Sequence, residues 1–333
     1  MKRLVLFLLI AALLTSFAFA TGSGETGGKR YTAIMGSSSL GGSWYPFASR
    51  MAGVAMKHAN IVVTVQSSGG GTENVRLMRQ GQYNMGLCEP NVANYAYFGK
   101  GPFEKDGKYD NLTFLFNMYN LPLTAVVHKD GPIQSMRDFD KKTGKNYGFS
   151  PGSPGSGDEY SWLEVFEIYG VKKEDMNWRP LSHNERVMAF KDRILHCVAF
   201  ETAQPAGAII ELSAQNPIRI LEIKGEDRDK IIKALPWYDY YTLPGGMYNG
   251  QDTPVETIFL GGFALANKDV PADFIYGYVS AIFGPGLEEV QSVFPSAKDV
   301  TLQNALRGNP YGPNTIPYHP GAEKFFREKG LIK

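Results

Sequence analysis

The sequence predicts an α/β protein of two domains with a cleft between them, and three observations carry that expectation. A strand-like run, a glycine turn and a helix-like run follow one another repeatedly, which is the pattern of βαβ units and of sheets flanked by helices. The chain has 333 residues of which 43% are hydrophobic, more than one ordinary core takes up and enough for two. Three Ser/Gly-rich loops, GSSSLGGS at 36–43, SSGGGT at 67–72 and GSPGSG at 152–157, lie on different α/β units. Two belong to the N-terminal half and one to the middle, so a ligand touching all three would sit between domains.

The elements follow in order. Residues 31–35 and 61–66 are rich in Ile, Val, Thr and Tyr and end at glycine loops, as strands do. After the first, Phe47, Met51, Val54 and His58 recur at helical spacing, with Pro46 in the first turn where its missing N–H costs nothing. After the second, Thr72 is the expected N-cap, Val75 and Met78 share a face, and Gly81 ends the helix. Strands are expected at 84–87, 112–118 and 123–128, with a helix at 91–97 and a polar, turn-rich stretch at 130–140. Strand 147–150 leads into the third loop and a helix at 158–169, whose Trp162, Phe166 and Tyr169 share a packing face before Gly170. Strand 194–200, helix 205–214, strand 218–223, one strand over 255–265 and an apolar helix at 274–283 complete the pattern, read as mostly parallel sheets.

The first residues, Met-Lys-Arg, an apolar run at 4–14 and the small-residue pattern Ala18-Phe19-Ala20, form a secretory signal peptide over 1–20, followed by a polar, glycine-rich leader at 21–28. The mature chain is expected to be exported. A net charge of +1 without a basic block gives no support for nucleic-acid binding. Cys88 and Cys197 lie in apolar strand contexts whose spacing fits no zinc site, so two buried thiols are expected, with a disulfide as the alternative.

The chemistry gathers at the loops. The first turn of a helix presents unpaired N–H groups and a partial positive charge, and glycine lets a ligand approach the backbone. No Lys or Arg falls in the three loops, and none of them matches the Walker pattern or GxGxxG, which disfavours nucleotides. The hydroxyls of Ser37, Ser38, Ser39, Ser43, Ser68, Thr72, Ser153 and Ser156, with backbone N–H groups such as those around Gly69, suit a small carboxylate. An ordinary strand-to-helix turn is the alternative for any one loop. Trp44 and Tyr45 follow the first loop and are pocket candidates, Tyr45 the better one. Glu73, Asp158 and Glu159 fall in first helical turns where the helix dipole accounts for them, whereas Glu89 and Glu201 follow apolar strands and are candidates for recognising an amine. His58, His128, His183, His196 and His319 are scattered without ligand spacing, and no HExxH motif occurs, so neither a metal, a cofactor nor catalysis is expected.

The motifs also resemble a known family. GSSSLGGSWYP at 36–46 is similar to the GTGGTGGTYYP-type opening of the TAXI family, the solute-binding proteins of TRAP transporters. SSGGGTEN at 67–74, GSPGSGD at 152–158 and PYHPGAEKFFREKG at 317–330 resemble its later motifs, in the same order. The resemblance implies a type II periplasmic-binding-protein fold, two α/β lobes closing on a ligand that is passed to a TRAP membrane permease. On that basis lobe one takes residues 29–128 and 246–333 and lobe two 129–245. Gly36, Ser39, Ser43, Tyr45, Ser68, Gly70, Ser156 and Gly157 match the loops that line the family's cleft. Family members are associated with glutamate, related amino acids or dicarboxylates. This chain departs from the pattern at Asp158, commonly Thr, at Ser38 and Ser39, usually Gly, at Trp44, and at His196, where the strand motif carries an acid. An added acid in the cleft disfavours a dicarboxylate and favours a solute bearing an amine.

The expectation is therefore a periplasmic protein that captures a small carboxylate-bearing solute, an amino acid or an organic acid, without turnover. A sensor component that signals to a membrane receptor and an exported hydrolase using a loop serine are the rival readings.

Overall fold

The structure, a computed structural model, describes residues 31–309 and 312–333; the expected signal peptide and the leader at 21–28 lie outside the described residues. The first β-strand, β1 (Thr32–Gly36), feeds the first loop and helix α1 (Trp44–Ala59), and β2 (Val62–Gln66) feeds the second loop and α2 (Gly71–Arg79). The third strand, β3 (Met85–Cys88), leads through Glu89 directly into α3 (Pro90–Phe98). Two long apolar strands follow, β4 (Leu112–Asn117) and β5 (Leu121–His128). The third loop connects β6 (Gly148–Ser150) to α4 (Gly157–Ile168). Then come β7 (Asn177–Trp178), α5 (His183–Lys191), β8 (Cys197–Glu201), α6 (Gly207–Gln215), β9 (Ile218–Leu221), α7 (Gly225–Ala234), β10 (Asp239–Leu243), β11 (Val255–Leu260) and β12 (Phe263–Asn267). Helices α8 (Ala272–Phe283), α9 (Leu287–Gln291) and α10 (Pro320–Glu328) close the chain.

The strands form two sheets. The first has the order β2-β1-β3-β12-β4 and the second β10-β11-β5-β8-β6-β7, with β9 also on β5. Neither is mostly parallel: β1 pairs β2 and β3 in parallel, but β12 runs antiparallel to both its neighbours, and every pairing of β5 is antiparallel. In the first sheet the reason is the return of the chain after β11, which inserts β12 against the direction of the βαβ units; in the second it is β5, which runs against each of its neighbours.

That return corrects the expected single strand at 255–265. Gly261 and Gly262 break it, and the two halves belong to different sheets. The glycines are required there by close approach, since a Cβ at Gly261 would stand 1.9 Å from Asn117 Oδ1 and one at Gly262 2.6 Å from Met118 Cε. The outgoing crossing lies alongside, with the Met118 N–H donating to the Gly262 carbonyl at 2.7 Å. Sheet membership thus changes between Asn117 and Leu121 and again between Leu260 and Phe263, so β5 and β11, assigned to lobe one from the sequence, pair in the second sheet. An unbroken apolar run gives no signal of a change of sheet.

Each sheet has its own core. Strand β5 shows the period of two: Leu123, Ala125 and Val127 pack on one face with Phe149, Trp162 and Phe166, while Val126 packs on the other with Val198, Phe200 and Ile209. Trp162 and Phe166 are buried in the core as their spacing implied. Cys88 and Cys197 are buried and free, and burial pushes both thiols well above their ordinary range. Among the described residues no helix is long and apolar enough to cross a membrane.

Candidate functional site

The three glycine loops converge, but on different tasks. The cavity they border is lined from the first-sheet side by Ser38, Ser39, Gly42, Ser43, Trp44, Gly69, Gly70 and Glu89. From the second-sheet side come Ser153, Ser156, Asp158, His183, Arg186, Phe200, Glu201 and Thr202. These residues stand at strand ends and helix starts, as α/β architecture places ligand sites. The walls touch at the mouth, where Ser43 Oγ is 3.3 Å from Thr202 Oγ1.

Five expected site residues do not line it. A Cβ on Gly36 would lie 2.2 Å from Asn74 Oδ1, so Gly36 makes room for Asn74. Asn74, buried, donates to the carbonyls of Ser37 and Leu87 and stands 2.7 Å from Ser68 Oγ. Ser68 accepts from the Gly70 N–H, and so it shapes the second loop from beneath. Thr72 is not the N-cap, because α2 begins one residue earlier at Gly71 with Gly70 (φ 112°) as cap; its Oγ1 is buried. Tyr45 lies outside the lining. Behind the first loop the aromatic place is taken by Tyr119, which donates to Ser43 Oγ at 3.1 Å and packs edge-on to Phe47.

Gly157, the fifth, reveals the main correction. A Cβ there would stand 1.9 Å from Glu89 Cδ, and one on Gly71 1.9 Å from Glu89 Oε2. The Glu89 carboxylate is therefore wedged against the first residues of both α2 and α4 while itself preceding α3. At two of the three expected anion cradles the protein's own carboxylate packs against the helix start. The first loop brings Ser38, Ser39 and Ser43 to the cavity, while the second and third reach it through Gly69 and Gly70 and through Ser153 and Ser156. Ser156 lines the cavity but also caps α4, accepting from the Glu159 N–H at 3.3 Å. Glu73 and Glu159 are likewise spent locally, accepting from the N–H groups of Gly69 and Gly155.

Three acids meet beside that wedge. Glu89, Asp158 and Glu201 each offer a carboxylate oxygen, all within 4.8 Å of one another. Burial, then the neighbouring charges of Glu89 and Asp158, holds Glu201 well above the usual carboxylate range. Burial raises Glu89 to about 8, the Asp158 charge adding to it, and burial raises Asp158 although Arg186 opposes the shift. Neither oxygen of Glu201 and not Oε2 of Glu89 has a partner within 3.5 Å, although Glu201 is 7% and Glu89 3% exposed; the Ser161 hydroxyl eases the Glu201 carboxylate from beyond that distance. A buried ionised carboxylate without partners costs several kcal/mol, roughly, so the cluster takes up protons or a positive ligand group.

Arg186 is the residue the sequence reading missed. It reaches the cleft from α5, donates to Asp158 Oδ2 at 3.1 and 3.2 Å and to the Ala199 carbonyl at 3.0 Å, and lies over the Phe200 ring at 4.5 Å. The absence of basic residues from the loops therefore did not make the cleft free of cations. A signal was present: Ser182 and Glu185 form a capping box, S-x-x-E, that announces a helix start at His183, three residues before Arg186. His183, on the same helix, is driven down to about 4 by burial and then by the Arg186 charge, so it lines the cleft as a neutral imidazole.

Residues 35–330 match the NMT1-like family. Among solved structures, the periplasmic binding protein BugD is similar over 92% of this chain and 99% of its own, with a TM-score of 0.52 and 13% identity. MatC of Rhodopseudomonas palustris, solved with bound malate, is similar over 91% and 99%, with a TM-score of 0.53 and 12% identity. A binding-protein component of an ABC phosphonate transporter from Pseudomonas aeruginosa aligns over 81% and 80%, with a TM-score of 0.51 and 11% identity. At these identities the likeness is one of fold: two α/β layers of the periplasmic-binding-protein type, as the sequence implied.

Proposed function

The chain belongs to the NMT1-like family, and from that premise we propose that it is an extracytoplasmic solute-binding protein that captures a small carboxylate-bearing solute and delivers it to a TRAP membrane permease. One observation carries the reading: a cavity walled by both sheets and lined by the serine-rich start of α1, where the guanidinium among the described lining residues, Arg186, is paired with Asp158. The N–H groups and partial positive charge of that helix start, with the hydroxyls of Ser38, Ser39 and Ser43, suit a carboxylate. The lobes are taken as the two sheet units, 32–120 with 261–333 and 121–260. Closure is a hinge motion at the paired crossings beside Gly261 and Gly262, and the solute favours the closed state by touching both walls.

The order of the TAXI-like motifs along the chain supports the TRAP assignment, and the apolar run at 4–14 supports export. Binding without turnover is the simpler reading of a site in which the buried acids are clustered rather than arranged beside a serine nucleophile.

A thermal-shift and calorimetric panel of amino acids and organic acids is expected to find a ligand. In the Ser39→Ala/Ser153→Ala variant its affinity should fall at least about tenfold, equivalent to 1.4 kcal/mol. Unchanged affinity in that variant would remove the serine loops from the site.

A further inference from the structure

We infer that Glu89, Asp158 and Glu201 bind a calcium-sized divalent cation within the solute cleft, bridging its two walls. Three oxygens no more than 4.8 Å apart fit on a sphere of about 2.8 Å or less around a common centre. Slight side-chain contraction brings them to the roughly 2.3–2.6 Å that calcium takes. All donors are hard oxygens, and the neighbouring hydroxyls of Ser43 and Thr202 are of the same kind. Glu89 comes from the first-sheet wall and the other two from the second, so the cation ties one wall to the other.

A cluster of acids alone would not carry this. The second observation is Glu201, more than nine-tenths buried with both oxygens lacking a hydrogen-bond partner, and held within reach of the other two acids. Glu89 cannot swing away, because Gly71 and Gly157 close on its head group from both sides. Charge balance selects the valence. Asp158 is matched by Arg186, which leaves the carboxyl groups of Glu89 and Glu201 to give up a proton each as an ion binds. A divalent ion offsets both charges so formed, whereas the ammonium group of a solute offsets one. The ion also resolves how an acidic cleft accepts an acid: a solute carboxylate at the first loop completes the coordination sphere, so ion and solute strengthen each other's binding. That second step rests on the solute-binding reading; the ion site does not.

The test is calorimetric titration of the chelator-stripped full chain with calcium chloride and with manganese chloride, before any solute is added. One saturable site is expected, weakened at least about tenfold by Glu201→Gln and by Glu89→Gln. Because Glu201→Gln replaces a carboxyl group without hydrogen-bond partners by a neutral amide of the same shape, its melting temperature in chelator should not fall, which separates lost binding from lost folding. Absence of saturable binding up to roughly 10 mM, beyond the weakest extracellular calcium modules, would overturn the site, as would full binding in Glu201→Gln. A thermal-shift panel of amino acids and organic acids, run with calcium and with chelator, tells the two readings apart. Ion binding with no solute response refutes the solute reading and upholds the ion. A solute that binds equally well in chelator and loses affinity in Glu201→Gln, in a chain that shows no saturable ion binding, overturns the ion and gives the acids to the solute's amine.

Discussion

Glu164 and Glu201 are equally buried, 8% and 7% exposed, and chemically identical, yet the protein treats them in opposite ways. Glu164 accepts from four donors: Asn91 Nδ2 at 3.1 Å, Tyr95 OH at 2.5 Å, Trp237 Nε1 at 3.1 Å and Tyr238 OH at 2.7 Å. Asn91 and Tyr95 belong to α3 and the acceptor to α4, so the bonds fasten the first-sheet unit to the second. Glu201 has no such bond and lines a cavity. A carboxylate that the fold has satisfied belongs to the architecture. One that it has left unsatisfied, at a comparable burial, marks the place where something else completes the structure.

The contrast can be broken by substitution. The largest effect is expected at Glu164: Glu164→Ala strands four buried or half-buried donors and should lower stability by about 3–5 kcal/mol in urea unfolding. A loss below about 1 kcal/mol would mean that the network is incidental. Next comes Gly157→Ala, which drives a methyl group into Glu89 and should cost about 1–3 kcal/mol, with the loss recovered when Glu89→Ala is added. Additive losses in the double variant would disprove the wedge. The smallest is Glu201→Gln, where stability should change by less than about 1 kcal/mol. A loss as large as that at Glu164 would erase the distinction between the two glutamates.

How much of this was legible varies from element to element. The strand–glycine–helix units were, because glycine turns and apolar periodicity are local signals, and Trp162 and Phe166 declared their core face by spacing alone. The meeting of Ser38, Ser39, Ser43, Ser153 and Ser156 with Glu89, Asp158 and Glu201 followed from loop chemistry combined with βαβ geometry. The split of 255–265 did not, since Gly261-Gly262 reads as a bulge until Asn117 and Met118 are known to lie against it. Nor did the packing of Glu89 against two cradles, because nothing local says that the residue after β3 points at the starts of two other helices. Arg186 was hidden differently: its helix begins with a legible capping box, but its amphipathic stripe is weak. The partner Asp158 lies 28 residues away in sequence, and only the fold joins them.

The central claim is that a small carboxylic acid occupies the cleft between the serine loop of α1 and the acids around Glu201. Native mass spectrometry of the full chain, incubated with a panel of amino acids and organic acids in the presence of calcium, tests it most directly. A bound acid is predicted, released intact on denaturation and lost in both Ser39→Ala/Ser153→Ala and Glu201→Gln. The same acid retained undiminished in both variants would place its site elsewhere and contradict the account.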